Sequence, residues 1–126
     1  MASPATDKRV LLIDDDESLR ALFQVAMGKH FNTAVAEDGV TGLAKVAVFK
    51  PHLIVLDLMM PRLDGFAVIH KLQAEGFQSI PVIVITGYSD KANESLVSNE
   101  PNVVAFFHTP LKFNELIAKV NGLLST

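Results

Sequence analysis

Asp14, Asp15 and Asp57 are the residues whose type and placement best suit chemistry in this chain. Each lies where an apolar run ends: Val10 to Ile13 leads into Asp14-Asp15-Asp16-Glu17, and Leu53 to Leu56 leads into Asp57. Two carboxylates about 4 Å apart repel by about 4 kcal/mol at an effective dielectric of ~20, so three gathered acids need a compensating cation. Oxygen-only ligands with room for water suit Mg²⁺ or Mn²⁺ better than zinc, and they leave positions for phosphate oxygens. The chemistry indicated is phosphoryl transfer. Thr86-Gly87, at the end of another apolar run, adds a hydroxyl donor and a backbone N–H that no side chain shields from an anion. Each feature alone has a plainer explanation: Asp57 as a turn cap, the acids before the first helix as partners of its dipole, Thr-Gly as a strand-ending turn. That plainer account is retained for Asp16 and Glu17. For the other residues, convergence on one place favours the site.

The convergence depends on the elements that carry these residues. Arg9 to Ile13 reads as a strand, followed by an acidic loop and a helix with Leu19, Leu22, Phe23, Ala26 and Met27 at helical spacing. Asn32 to Ala36 is a second strand, and Asp38-Gly39 opens a helix with Val40, Leu43, Ala44 and Ala47 on one face, closed by Pro51. The strand ending at Asp57 is apolar throughout, as in a parallel sheet buried on both faces. A loop through Pro61 and Asp64-Gly65 leads to a helix that buries Phe66, Ile69 and Leu72 and ends at Gly76. Ile80 to Ile85 is the fourth strand, the loop Thr86 to Asp90 follows, and Lys91 to Asn99 is a polar helix with only Leu96 and Val97 to bury. Val103 to Phe107 is the fifth strand. Phe113, Leu116, Ile117, Val120 and Leu124 line the closing helix. Such alternation forces parallel strands joined by right-handed crossovers, giving a doubly wound five-stranded parallel sheet flanked by five helices, a flavodoxin-like three-layer α/β sandwich. In that fold the first and third strands are neighbours, so Asp14, Asp15 and Asp57 meet.

Length and composition bound the function. The 126 residues are expected to form one domain, 1–126, with its core at about 9–124. The absence of cysteine excludes disulfides, thiolate metal sites and thiol catalysis within these residues, and agrees with a reducing compartment. A net charge of -3 lacks the clustered cations of a nucleic-acid interface, so any DNA target must be touched by another segment or chain. No run approaches the ~18 apolar residues of a membrane span, and the first residues lack a signal-peptide core, so a cytoplasmic location is expected.

Asp14-Asp15, Asp57 followed by Met60-Pro61 and Asp64-Gly65, Thr86-Gly87, and Pro110 after the fifth strand together resemble the receiver domains of two-component response regulators. The resemblance covers about residues 9–124. It implies that Asp57 accepts a phosphoryl group from a partner histidine kinase or phosphotransfer protein and that the phosphorylated state alters binding to a downstream partner or output domain. It implies a Mg²⁺ site made by Asp15, Asp57 and the backbone carbonyl of Met59, with Asp14 supporting through water. Thr86 is then the switch hydroxyl, Phe106 stands at the switching aromatic, and Gly87, Thr109 and Pro110 lie beside the phosphate. The chain is expected to be a phosphoryl acceptor that assists its own phosphorylation and dephosphorylation, not an enzyme acting on free substrates.

One position departs from the pattern. Receiver domains usually carry a lysine immediately before the proline that follows the fifth strand, and here Thr109 stands there, with Lys112 three residues on. A hydroxyl replaces a cation that would pair with phosphoryl oxygens. The resemblance also implies a cis peptide at Thr109–Pro110. Thr109 is the best argument for a rival reading, a pseudo-receiver that only scaffolds partners. A metal-dependent phosphohydrolase would need an insertion to cap its substrate, and a flavin binder would repel the cofactor phosphate with its three acids. His30, His52, His70 and His108 share no metal-binding spacing and read as structural, with His108 expected to alternate away from the acids if Thr109 faces them.

Overall fold

The computed structural model describes residues 7–60, 64–87 and 91–125, with the backbone alone for 91–93. Pro61, Tyr88, Ser89 and Asp90, which the motif and loop readings include, lie outside the described residues. Five strands and five helices alternate: β1 Arg9–Ile13, α1 Glu17–Met27, β2 Asn32–Ala36, α2 Gly39–Phe49, β3 Leu53–Asp57, α3 Gly65–Ala74, β4 Val82–Thr86, α4 Lys91–Val97, β5 Val103–His108 and α5 Phe113–Leu124. The strands form one parallel sheet in the order β2-β1-β3-β4-β5. This is the doubly wound sandwich expected from the alternation.

Successive strand side chains point to opposite faces, so the sheet supports two cores. Val10, Leu12, Leu53 and Val55 pack with Phe23 and Met27 of α1 and Leu116 and Val120 of α5. Leu11, Ile13, Ile54 and Leu56 pack on the other face with Val46 of α2, Val68, Ile69 and Leu72 of α3, and Val97 of α4. Each fully buried aliphatic side chain contributes about 1.5–3 kcal/mol, so the three central strands dominate the stability. Asp16, Asp38 and Asp64 cap α1, α2 and α3, each accepting backbone N–H groups that the first helical turn leaves without partners.

Several helix faces and ends differ from the periodicity reading. Leu22 is exposed, because α1 turns Phe23 and Met27 inward. In α2, Val40, Ala44 and Ala47 are exposed and Leu43 is half-buried, while Gly39, Gly42 and Val46 are buried. The cause is close approach: a Cβ on Gly42 would stand 2.6 Å from Ile13 Cδ1, so the glycine face is the one that seats on β1. The fourth strand starts at Val82 instead of Ile80, α3 ends at Ala74, two residues before Gly76, and α4 ends at Val97 with Leu96 exposed.

A bulge in β5 sets what its end presents. Val82 pairs with Val103 but Ile83 with Ala105, which leaves Val104 unpaired and 42% exposed. One extra residue flips the facing of everything after it. Phe106 therefore packs on the α4 side, Phe107 on the α1–α5 side, and His108 returns to the α4 side opposite Thr86.

Candidate functional site

The site grows from the register of β1 on β3. Ile13 pairs with Leu56, so the next residue of each strand, Asp14 and Asp57, emerges at neighbouring strand ends. The backbone N–H of Asp14 still donates to the carbonyl of Ala36 at 3.0 Å, and Leu58 N–H donates to Ile85 at 3.3 Å. Both acids are thus held by strand pairing continued one step past the sheet.

The loop into α1 is fixed by its own side chains. Asp14 Oδ1 accepts the Asp16 N–H at 2.8 Å, Asp16 Oδ1 accepts Ser18 and Leu19, and Arg20 Nη1 donates back to the Asp14 carbonyl at 2.8 Å. Asp15 is left exposed at the mouth. Asp57 is half-buried, and its Oδ1 accepts the Met59 N–H at 3.1 Å. Asp14, Asp15 and Asp57 can each place one ligand oxygen within 4.8 Å of the others, the one such grouping of possible metal ligands among the described residues.

The electrostatics are those of crowded acids. Burial and then the Asp14 charge push Asp57 up to about 7, opposed by the Met59 N–H, with Asp15 adding a lesser rise. Burial pushes Asp14 up to about 6, opposed by the Asp16 N–H and raised further by Asp15. An all-oxygen donor set in which Asp14 and Asp57 hold protons this tightly fits a hard divalent cation, which would relieve the repulsion.

Sequence reasoning treated Asp64-Gly65 as a turn and missed its part in the site. Gly65 N–H donates to the Leu58 carbonyl at 3.0 Å, and a Cβ there would stand 2.7 Å from the Asp57 carbonyl oxygen. Gly65 lets α3 start directly against the backbone that carries Asp57. An Asp-Gly pair before a helical run is a visible signal, but nothing in it says what the glycine approaches.

Thr86 ends β4, buried, one strand away from Asp57. Its Oγ1 lies 3.5 Å from Glu94 Oε2, and its carbonyl accepts the Thr109 N–H at 3.0 Å. Gly87 follows, half-buried, and Met59 is 52% exposed. Phe106 lines a surface groove of about 500 Å³ with Glu94, Ser95, Ser98 and His108. Thr109 is exposed, the Thr109–Pro110 peptide is cis, and Lys112 Nζ lies 3.9 Å from Glu115 Oε2 at the start of α5. The histidines have separate partners: His52 Nδ1 accepts the Arg9 N–H, His70 approaches Glu100, and His108 meets Glu94 at 2.9 Å. His108 lies beside the Thr86 hydroxyl on a shared acceptor, Glu94 Oε2.

Comparison with known proteins places this geometry. A family model described as the response regulator receiver domain matches residues 10–121. The DNA-binding response regulator MtrA of Mycolicibacterium paratuberculosis is 32% identical over 118 residues, 93% of this chain and 51% of that protein. The response regulator MprA of Mycobacterium leprae is 32% identical over 117 residues, 92% of this chain and 50% of that protein. The chain spans about half the length of these curated relatives. The receiver domain of Francisella response regulator 1452 has a TM-score of 0.81 at 27% identity, covering 93% of this chain and 96% of that one. A structure described as an adenylate cyclase from Rhodopirellula baltica has a TM-score of 0.82 at 28% identity, covering 93% and 87%. No helix among the described residues is long and apolar enough to cross a membrane.

Proposed function

The chain belongs to the response regulator receiver domain family, and from that premise we propose that Asp57 accepts a phosphoryl group from the phosphohistidine of a partner kinase or phosphotransfer protein. The observation that carries this is the gathering of Asp14, Asp15 and Asp57 within 4.8 Å with the Asp57 carboxyl raised to about 7. Asp15, Asp57 and the Met59 carbonyl are the groups that would hold Mg²⁺ or Mn²⁺, with Asp14 behind them. When bound, the cation supplies charge neutralisation at the phosphoryl oxygens. Asp57 is the nucleophile: one carboxylate oxygen bonds to phosphorus, the phosphorus–nitrogen bond to the partner's imidazole breaks, and that ring leaves neutral after taking up a proton. The Met59 N–H orients the Asp57 carboxylate through Oδ1. Thr86 then donates its hydroxyl to a phosphoryl oxygen, with Gly87 leaving the approach open and Phe106 answering on the same sheet face.

The cycle stops at the acceptor, and its output is a changed surface around α4 and β5. Because the relatives are about twice this length, that surface addresses an output domain or a separate protein partner. Thr109 favours a second reading, a scaffold that binds partners without a phospho-switch, since no lysine stands beside Pro110. Incubation with acetyl phosphate and Mg²⁺, followed by intact mass measurement, separates the two. Uptake of one base-labile phosphoryl group, absent in Asp57→Asn, is the expected result. An unlabelled parent, or an Asp57→Asn protein labelled at the parent's rate, overturns the assignment, and many turnovers of the acyl phosphate would point to a hydrolase.

A further inference from the structure

Thr86 and His108 are register partners across β4 and β5, and the bulge at Val104 brings His108 to the α4-covered face on which Thr86 lies. Glu94 reaches down from α4 to both: its Oε2 lies 2.9 Å from His108 Nε2 and 3.5 Å from Thr86 Oγ1. Strong O–H···O bonds fall at about 2.5–3.0 Å, so the bond to His108 fixes the carboxylate while the contact with Thr86 is the looser one. Both side chains are half-buried, at 30% and 24% exposure, where such pairs are less screened than on open surface. Val97 is the only fully buried residue of α4 among those described, so the polar contact is a sizeable part of what docks this short helix.

A hydroxyl has one proton and donates to one acceptor at a time. We propose that Glu94 is a positioning residue that, steadied by His108, holds the Thr86 hydroxyl on the α4 side in the resting protein, so that a phosphoryl group at Asp57 must draw Thr86 away from it. The inference rests on Asp57 being the phosphoacceptor. Its consequence is a threshold: the resting contact subtracts from whatever Thr86 contributes to the phosphorylated state, and loosening it shifts the population toward that state.

The test uses beryllofluoride with Mg²⁺ as a phosphoryl stand-in, its affinity read by NMR titration. Replacing a charged acceptor by a neutral one in Glu94→Gln is expected to tighten binding roughly fivefold. Glu94→Asp, a methylene shorter, pulls the carboxylate back toward its own helix and is expected to shift affinity in the same direction. In a Thr86→Ala background Glu94→Gln is expected to change affinity by less than about twofold, which a general loosening of α4 would not reproduce. Parent-like or weaker binding by both Glu94 variants, or equal tightening without Thr86, overturns the inference alone. A parent that binds no beryllofluoride overturns the phosphoacceptor reading and this inference with it.

Discussion

Asp57 holds its proton up to about 7 chiefly because it is buried, and next because the Asp14 carboxylate stands at the neighbouring strand end. A carboxyl that titrates higher in the folded chain than unfolded stabilises the fold at low pH, and that contribution disappears as pH rises through the folded value. For Asp57 the window runs from about 4, where the unfolded group titrates, to about 7, and for Asp14 to about 6. The metal-free protein is therefore expected to lose stability as pH rises across this window. Thermal melts in EDTA from pH 4.5 to 7.5 measure it, and Asp57→Asn is expected to flatten the slope and melt several degrees higher than the parent at pH 7.5. A parent whose stability climbs through the window would show that other groups dominate.

The same crowding is expected to make Mg²⁺ a stabiliser. A ligand bound only by the folded state at ten times its Kd adds about 1.4 kcal/mol, worth a few degrees in a chain of this size. Saturating Mg²⁺ at pH 7.5 is expected to raise the parent's melting temperature by that amount, and Asp15→Asn or Asp57→Asn to remove most of the rise. An equal rise in both variants would mean the cation binds elsewhere.

Gly65 couples α3 to Asp57 through bare backbone. A Cβ at 2.6 Å from Leu58 Cα and 2.7 Å from the Asp57 carbonyl forces the backbone to move, since neither neighbour is a flexible side-chain tip. Overpacking of this kind costs about 1–3 kcal/mol, partly offset by up to ~1 kcal/mol of helix propensity. Gly65→Ala is expected to unfold at lower denaturant and to slow labelling by acetyl phosphate roughly tenfold or more, because small misplacements of a reacting group are costly. Gly122→Ala, with nothing within 4 Å of its new Cβ, is the control and is expected to gain stability. Equal behaviour of the two variants would remove Gly65 from the site.

How far the chain could be read from its residues follows from which signals are local. The order of elements was legible because most strands are short apolar runs and most helices have a cap or an apolar period, α4 being the polar exception, and the meeting of Asp14 with Asp57 followed from the alternation itself. The seat of α2 was not: Val40, Ala44 and Ala47 make the more apolar stripe, yet Gly42 approaches Ile13 more closely than any larger residue permits. Apolar periodicity measures affinity for a core, whereas seating also depends on distance. The bulge at Val104 was equally hidden, since Val103 to Phe107 alternates no differently with or without an unpaired residue. That single slip brought His108 to Glu94, which no spacing rule joins to Thr86.

Thr109 stands where a lysine would meet the phosphoryl oxygens, and its backbone already lies against the site through the bond from its N–H to the Thr86 carbonyl. Lys112 does not reach back in its place: its Nζ lies by Glu115, 3.9 Å away, on a side chain 71% exposed. The parent is therefore expected to take up a phosphoryl group through its acids and Thr86 while lacking one charge-assisted bond, worth roughly 1.5–3 kcal/mol, that would favour the switched arrangement. Each 1.4 kcal/mol is a factor of ten in a two-state ratio, so restoring the cation should enlarge the response by about tenfold or more. Amide exchange across 103–108 and 94–97, with and without beryllofluoride, measures that response in the parent and in Thr109→Lys. A Thr109→Lys protein that binds the mimic yet changes its exchange no more than the parent would mean that another cation already makes the contact.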